Sequence, residues 1–193
     1  MHPDRLTSIL QNSLVPFSLC LLSLLFQVFD PATTEWLRYD RTAIHNGELW
    51  RILSGNLVHL GWEHLLMNLA GLILIWLLYG RLLSNQQWLL VVLMSSLAVG
   101  VGLYLTNPQL DWYVGQSGML HGLFVTGLVI NLRKGYKLEW LLLLGLIVKL
   151  IWEQIHGALP GSAELAGGAV IVDAHLFGAI SGIIAGTLLK YKF

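Results

Sequence analysis

The segment "YVGQSGMLHGLF" (Tyr113–Phe124) sets a Gly-Gln-Ser-Gly, and a histidine four residues after its serine, at the head of an apolar run. Serine is a weak nucleophile until a neighbouring base takes its proton, and imidazole does this near neutral pH. Ser117 at a helix N-terminus would meet free backbone N–H groups, which favour developing negative charge. Gly115 and Gly118 leave the backbone open for a tight turn and for a substrate chain. The same residues also fit an N-capping serine followed by a Gly118/Gly122 packing face. A second segment, "VDAHLFGAISGIIAG", puts His175, Gly178 and Gly182 on one helix face. Such a face admits another helix closely. If that helix carries Gly118 and Gly122, His175 comes within reach of Ser117; otherwise the imidazole is a hydrogen-bonding group between helices. In a third segment, "HLGWEHLLMNLAGL", His64 and Asn68 are stacked four residues apart. Both offer N–H donors, suited to the oxyanion of acyl transfer or to polar attachment between helices. His59 and Glu63 fall nearer the interface, with loop backbone as their partner. The histidines at 59, 64, 121 and 175 lack the His-Glu-x-x-His spacing of a zinc hydrolase, so no metal or organic cofactor is expected.

The elements that carry these residues belong to a membrane. Of 193 residues, 55% are hydrophobic and 11% charged, against about 25% charged in soluble domains. Zero formal net charge gives no reason to expect nucleic acid as a partner, and the lone Cys20 excludes a disulfide within the chain. Six apolar runs approach the roughly 20 residues of a membrane span: 9–29, 60–79, 88–105, 117–132, 138–155 and 170–189. The first reads as a retained anchor rather than a cleaved signal. No stretch of soluble composition separates them, so residues 1–193 are expected to form one all-α bundle of six transmembrane helices. The longest connection, Asp30 to His59, carries Trp36, Tyr39 and Trp50, aromatic residues that suit the membrane interface. Arg5, Arg81, Arg133, Lys134, Lys137, Lys190 and Lys192 then share one side, which the positive-inside rule makes cytoplasmic, together with both termini. Lys149 and Glu153 are expected to pair within one helix near a water-facing surface.

Counting back from the basic residues places the polar groups in depth. Ser117 lies 16 residues from Arg133, about 24 Å along a helix. His175 lies 15 residues from Lys190, about 22 Å, and Asn68 13 residues from Arg81, about 20 Å, with His64 one turn beyond. In a hydrocarbon layer about 30 Å thick these groups share one level, several Å below the outer surface. The fourth run is too short to cross alone, so "TNPQLDWYVGQ" must dip into a protein-lined cavity that admits water.

The set "LWR" (Leu49–Arg51), "HLLMN" (His64–Asn68), "GQSG" (Gly115–Gly118) and "AHLFGAISG" (Ala174–Gly182) resembles the rhomboid intramembrane serine proteases. Compact length, "SGMLHGL" after the serine and Asp173 before "AH" make it most similar to the rhombosortase branch. The resemblance implies a dyad of Ser117 as nucleophile and His175 as general base, without a third carboxylate. It implies an oxyanion site of His64, Asn68 and the Ser117 backbone N–H, and a structural Trp50–Arg51 pair. Many rhomboids carry a tyrosine where this chain has His121, on which the catalytic imidazole packs. Asp173 is expected at the cavity rim. The implied activity is hydrolysis of a peptide bond in or near a substrate's membrane helix, in the bacterial inner membrane with the site open to the periplasm. The branch further implies membrane-anchored substrates with Gly-Gly-containing C-terminal tails, a membrane helix and a basic cluster. A rhomboid protease of broader range and a non-catalytic membrane-protein-binding relative are the alternatives.

Overall fold

Ten helices and one two-residue ladder are described over residues 12–190 of a computed structural model. In chain order they are α1 (Leu14–Val28), α2 (Ala32–Leu37), β1 (Tyr39–Asp40), α3 (Arg41–His45), α4 (Arg51–Ser54), α5 (Trp62–Tyr79), α6 (Asn85–Thr106), β2 (Trp112–Tyr113), α7 (Ser117–Arg133), α8 (Glu139–His156), α9 (Ser162–Ala166) and α10 (Val172–Leu188). The six longer helices fall on the six apolar runs. Of these, α5 and α6 are long and apolar enough to cross a membrane by length and composition. The start of the first run, Arg5 and Lys192 lie outside the described residues.

The centre of the bundle is α7. It buries residues on every side, from Gly118 to Ile130, the pattern of a helix enclosed by others. Its most extensive neighbour is α10, and the contact is nearly backbone to backbone. A Cβ added at Gly118 would lie 2.8 Å from the Ala174 carbonyl oxygen, and one at Gly182 2.8 Å from Val125 Cβ. At Gly178 it would collide with the Gly118 carbonyl. The Gly118/Gly122 and Gly178/Gly182 faces therefore meet each other. Ser95 of α6 and Ser181 of α10 bond through their hydroxyls at 2.9 Å beside this seam.

The outside of the bundle is apolar. Leu66, Leu77, Leu97, Leu144, Val148 and Ile183 are all exposed, as a surface that meets lipid tails should be. Helix α8 is extreme: its only buried residues are Glu139 and Glu153. Glu139 accepts bonds from the Tyr79 hydroxyl at 2.8 Å and Asn131 Nδ2 at 2.7 Å.

The first connection is folded rather than merely interfacial. Asp40 caps α3 by accepting the Ala43 N–H at 3.0 Å; this bond, ahead of the charge of Arg38, holds its carboxyl below the usual range. Arg41 donates to the carbonyls of Leu103, Tyr104, Asn107 and Leu110 at 2.8–3.1 Å, closing the C-terminus of α6. Trp36 and Trp50 are exposed, as expected at an interface, but Tyr39 is 1% exposed. Its strand pairs antiparallel with β2, Tyr39 opposite Tyr113, which turns the tyrosine into the core.

The glycine seam sets the first expectation. Gly182→Val overpacks a backbone contact, at a cost of about 1–3 kcal/mol, and lowers the melting temperature in detergent. Gly145→Val, at a position with nothing within 4 Å, leaves it unchanged. Equal melting of the two variants would refute the seam's structural role.

Candidate active site

The chain enters the site through a buried loop. Gly115 N–H donates to the Gly55 carbonyl at 3.0 Å, and the Tyr113 hydroxyl donates to the Gly115 carbonyl at 2.7 Å. Gln116 is fully buried and donates to Ser23 Oγ of α1 at 2.5 Å. Irregular backbone at this position is thus covered by protein, with the Gly115 N–H and carbonyl both paired. Gly115 has φ +122°, where L side chains are strained, and a Cβ there would lie 2.7 Å from His64 Cε1. The glycine therefore serves both the turn and the approach of the His64 ring.

Ser117 is the first residue of α7, and His175 lies in the first turn of α10. Their side chains meet, with Ser117 Oγ 2.9 Å from His175 Nε2. His64 is buried on α5, and its Nδ1 faces the Leu60 N–H at 3.4 Å. Since that backbone group is a donor, Nδ1 accepts and Nε2 carries the proton, a donor aimed at the Gly115 side of the site. Asn68 uses one amide N–H on the His64 carbonyl at 3.1 Å. It lines, with Ser117, His121, Met67, Gly71 and Leu146, an open cavity of about 330 Å³ between α5, α7 and α8. Ser117, Asn68 and the His121 ring thus border one space. His121 lies one turn below Ser117; its ring stacks on that of His175, centroids 4.3 Å apart and 19° between planes. Its Nδ1 donates to the Ser117 carbonyl at 2.7 Å.

Two placements differ from expectation. Lys149 and Glu153 do form an intrahelical pair, 2.6 Å apart, but Glu153 is 3% exposed and turned into the bundle. Its carboxylate oxygens lie 3.0 and 3.1 Å from His175 Nδ1, and Lys149 Nζ lies 2.9 Å from the same nitrogen and 2.8 Å from His121 Nε2. A third carboxylate therefore stands behind the imidazole, where a bare pair was expected. A signal for it was present: Glu139, Lys149 and Glu153 fall within about 80° of one helical face, and charges inside membrane helices turn toward protein. His59 is 2% exposed, packs its ring edge-on against His64, and has no partner for either ring nitrogen among the described residues. Burial, then the neighbouring His64, pushes its pKa down to about 3. Asp173, expected at the cavity rim and not as a partner of the imidazole, accepts from Asn107 Nδ2 and ties α10 to the end of α6. Trp50 packs against Trp36, while Arg51 is buried, pairs with Glu48 at 2.6 Å and donates to the Glu35 and Arg38 carbonyls.

A rhomboid domain family model matches residues 46–192. The chain belongs to the rhomboid family, and with its apolar helices it is an integral membrane protein. It is 34% identical over 116 residues to "Putative rhomboid protease YdcA" of Bacillus subtilis (strain 168), covering 57% of this chain and 58% of that one. It is 29% identical over 149 residues to "Uncharacterized protein Rv1337" of Mycobacterium tuberculosis (strain ATCC 25618 / H37Rv), covering 74% and 60%. It thus spans about three fifths of the length of these curated relatives.

Gly115→Ala combines a strained φ, about 1–3 kcal/mol, with displacement of the His64 ring. The expected result is reduced serine labelling by a fluorophosphonate together with a lowered melting temperature. Wild-type values for both would show that His64 does not depend on this glycine.

Proposed function

We propose that this protein is an intramembrane serine endopeptidase in which Ser117 is the nucleophile and His175 the general base. The observation that carries the reading is the 2.9 Å contact of Ser117 Oγ with His175 Nε2 at a cavity that Asn68 shares. Ser117 Oγ attacks the scissile carbonyl carbon while its proton passes to His175 Nε2. The C–N bond breaks, and the amine leaves with that proton. Water then attacks the acyl ester and gives a proton to His175, releasing a carboxylic acid and restoring Ser117. The oxyanion formed in each half is held by His64, Asn68 and the Ser117 backbone N–H.

On this reading residues 1–193 form one rhomboid domain whose six longer helices cross the inner membrane of a bacterium, with both termini cytoplasmic and the site open to the periplasm. The clustering of Arg and Lys on one side supports that orientation. The substrates are membrane-anchored proteins with a C-terminal transmembrane tail. "SGMLHGL" and Asp173 support the rhombosortase branch, and with it tails that contain Gly-Gly.

In proteoliposomes, a reporter tail of Gly-Gly, a membrane helix and a basic cluster should be cut by the wild-type protein. Ser117→Ala and His175→Ala should each abolish cleavage while keeping the wild-type melting temperature, and fluorophosphonate labelling should vanish in Ser117→Ala. Cleavage by Ser117→Ala at the wild-type rate would reject the catalytic assignment. Equal cleavage of unrelated membrane helices would reject the branch and leave a protease of broader range.

A further inference from the structure

A general base at His175 needs one particular tautomer. Its Nε2 can take a proton from Ser117 only if its lone pair faces Oγ, which in a neutral imidazole requires the hydrogen to sit on Nδ1. That nitrogen has two neighbours with opposite demands. The Glu153 carboxylate, 3.0 Å away, accepts a hydrogen; the Lys149 ammonium, 2.9 Å away, donates one. If Lys149 wins, the hydrogen is on Nε2 and points at Ser117, and the base is disabled.

The surrounding bonds favour the carboxylate. His121 Nδ1 faces the Ser117 carbonyl, which only accepts, so Nδ1 of His121 carries its hydrogen and Nε2 is left with a lone pair. That lone pair lies 2.8 Å from Lys149 Nζ and takes one ammonium hydrogen. Glu153 Oε2, 2.6 Å away, takes another. Two of the three ammonium hydrogens are thus taken; with the third turned from the imidazole, the Nδ1 hydrogen of His175 goes to the carboxylate, whose two oxygens lie almost equally close. Lys149 and Glu153 also cancel each other's charge, which lets an ionised carboxylate persist in a buried place.

We propose that Glu153 is a positioning acid for His175, so that the site works as a Ser117–His175–Glu153 triad, and that Lys149, held by His121, fixes which way Glu153 is used. The proposal rests on the catalytic reading of Ser117 and His175. During acylation the Nδ1 hydrogen stays on the imidazole, and Glu153 stabilises the imidazolium without itself taking the proton. His121 then has two roles, since its ring supports that of His175 and its outer nitrogen holds Lys149.

The test is a set of variants in proteoliposomes, with melting temperatures as a check on folding. In Glu153→Gln one of the two oxygens that face Nδ1 becomes an NH₂, and the negative charge that stabilises the imidazolium is lost. A fall in kcat of about 10²–10⁴-fold is expected, with KM near the wild-type value, and Glu153→Asp should recover part of it. The double variant Lys149→Met/Glu153→Gln should be more active than Glu153→Gln alone, because no ammonium then competes with the Nδ1 hydrogen for the amide oxygen or donates to Nδ1 itself. A purely structural carboxylate predicts the reverse order. ¹⁵N shifts of the histidine ring should show His175 protonated at Nδ1 in the wild type. Wild-type kcat in Glu153→Gln, a double variant no more active than the single one, or Nε2 protonation of neutral His175 in the wild type would each overturn the proposal. Cleavage by Ser117→Ala, in contrast, would overturn the catalytic reading beneath it.

Discussion

The close approach of α7 to α10 governs the rest of this molecule. Lipid tails are as apolar as leucine, so helices in a bilayer are not driven together by water, and contact must come from packing and polar bonds. Here the backbones themselves touch, because Gly118, Gly122, Gly178 and Gly182 leave no side chain between them. Ser117 begins one of these helices and His175 lies in the first turn of the other. The distance between hydroxyl and imidazole is therefore set by the helix seam. The loop that leads into Ser117 needs the same economy, since His64 packs where a Gly115 side chain would be.

Around that seam, polar groups take over the role that apolar burial plays in water-soluble proteins. Arg41 closes the end of α6 through four carbonyls, and Arg51 gathers the first connection through two more. Glu139 fixes the start of α8 and Glu153 its far end. Each of these charges has partners, as groups withdrawn from water must. Most of α8 faces outward and its two buried residues are acids, so Glu139 and Glu153 are its main polar attachments to the bundle.

Much of this was legible in the residues because it is local or periodic. The glycine spacing on α7 and α10 marked two faces that had to be covered, and the depth count brought Ser117, His64, Asn68 and His175 to one level. The rotation of α8 was not recovered. Lys149 and Glu153 satisfy each other at one helical turn, and that sufficed as an account of both; only Glu139, two turns and more away, indicated a charged face turned inward. Tyr39 was misplaced for a related reason. An aromatic residue in a long polar connection suits an interface, and nothing local announces that its strand will pair with residues 112–113. His59 carries no sequence signal for its burial against His64.

The pairing of Lys149 with Glu153 also bears on how the chain enters the bilayer. An isolated Lys or Asp at the centre of an inserting helix costs about 2.5–3.5 kcal/mol on translocon scales, and Glu153 is an acid of the same kind. Helix α8 precedes α10 in the chain, so it meets the bilayer before α10 can pack against it. On the six-crossing reading, the two charges must therefore be tolerated before their eventual partner is in place. Their four-residue spacing supplies a counter-ion within the helix itself. The neutral pair that later flanks the imidazole is thus also the form in which this segment can be handed to the membrane, with the transfer of Glu153 to His175 deferred until α10 arrives.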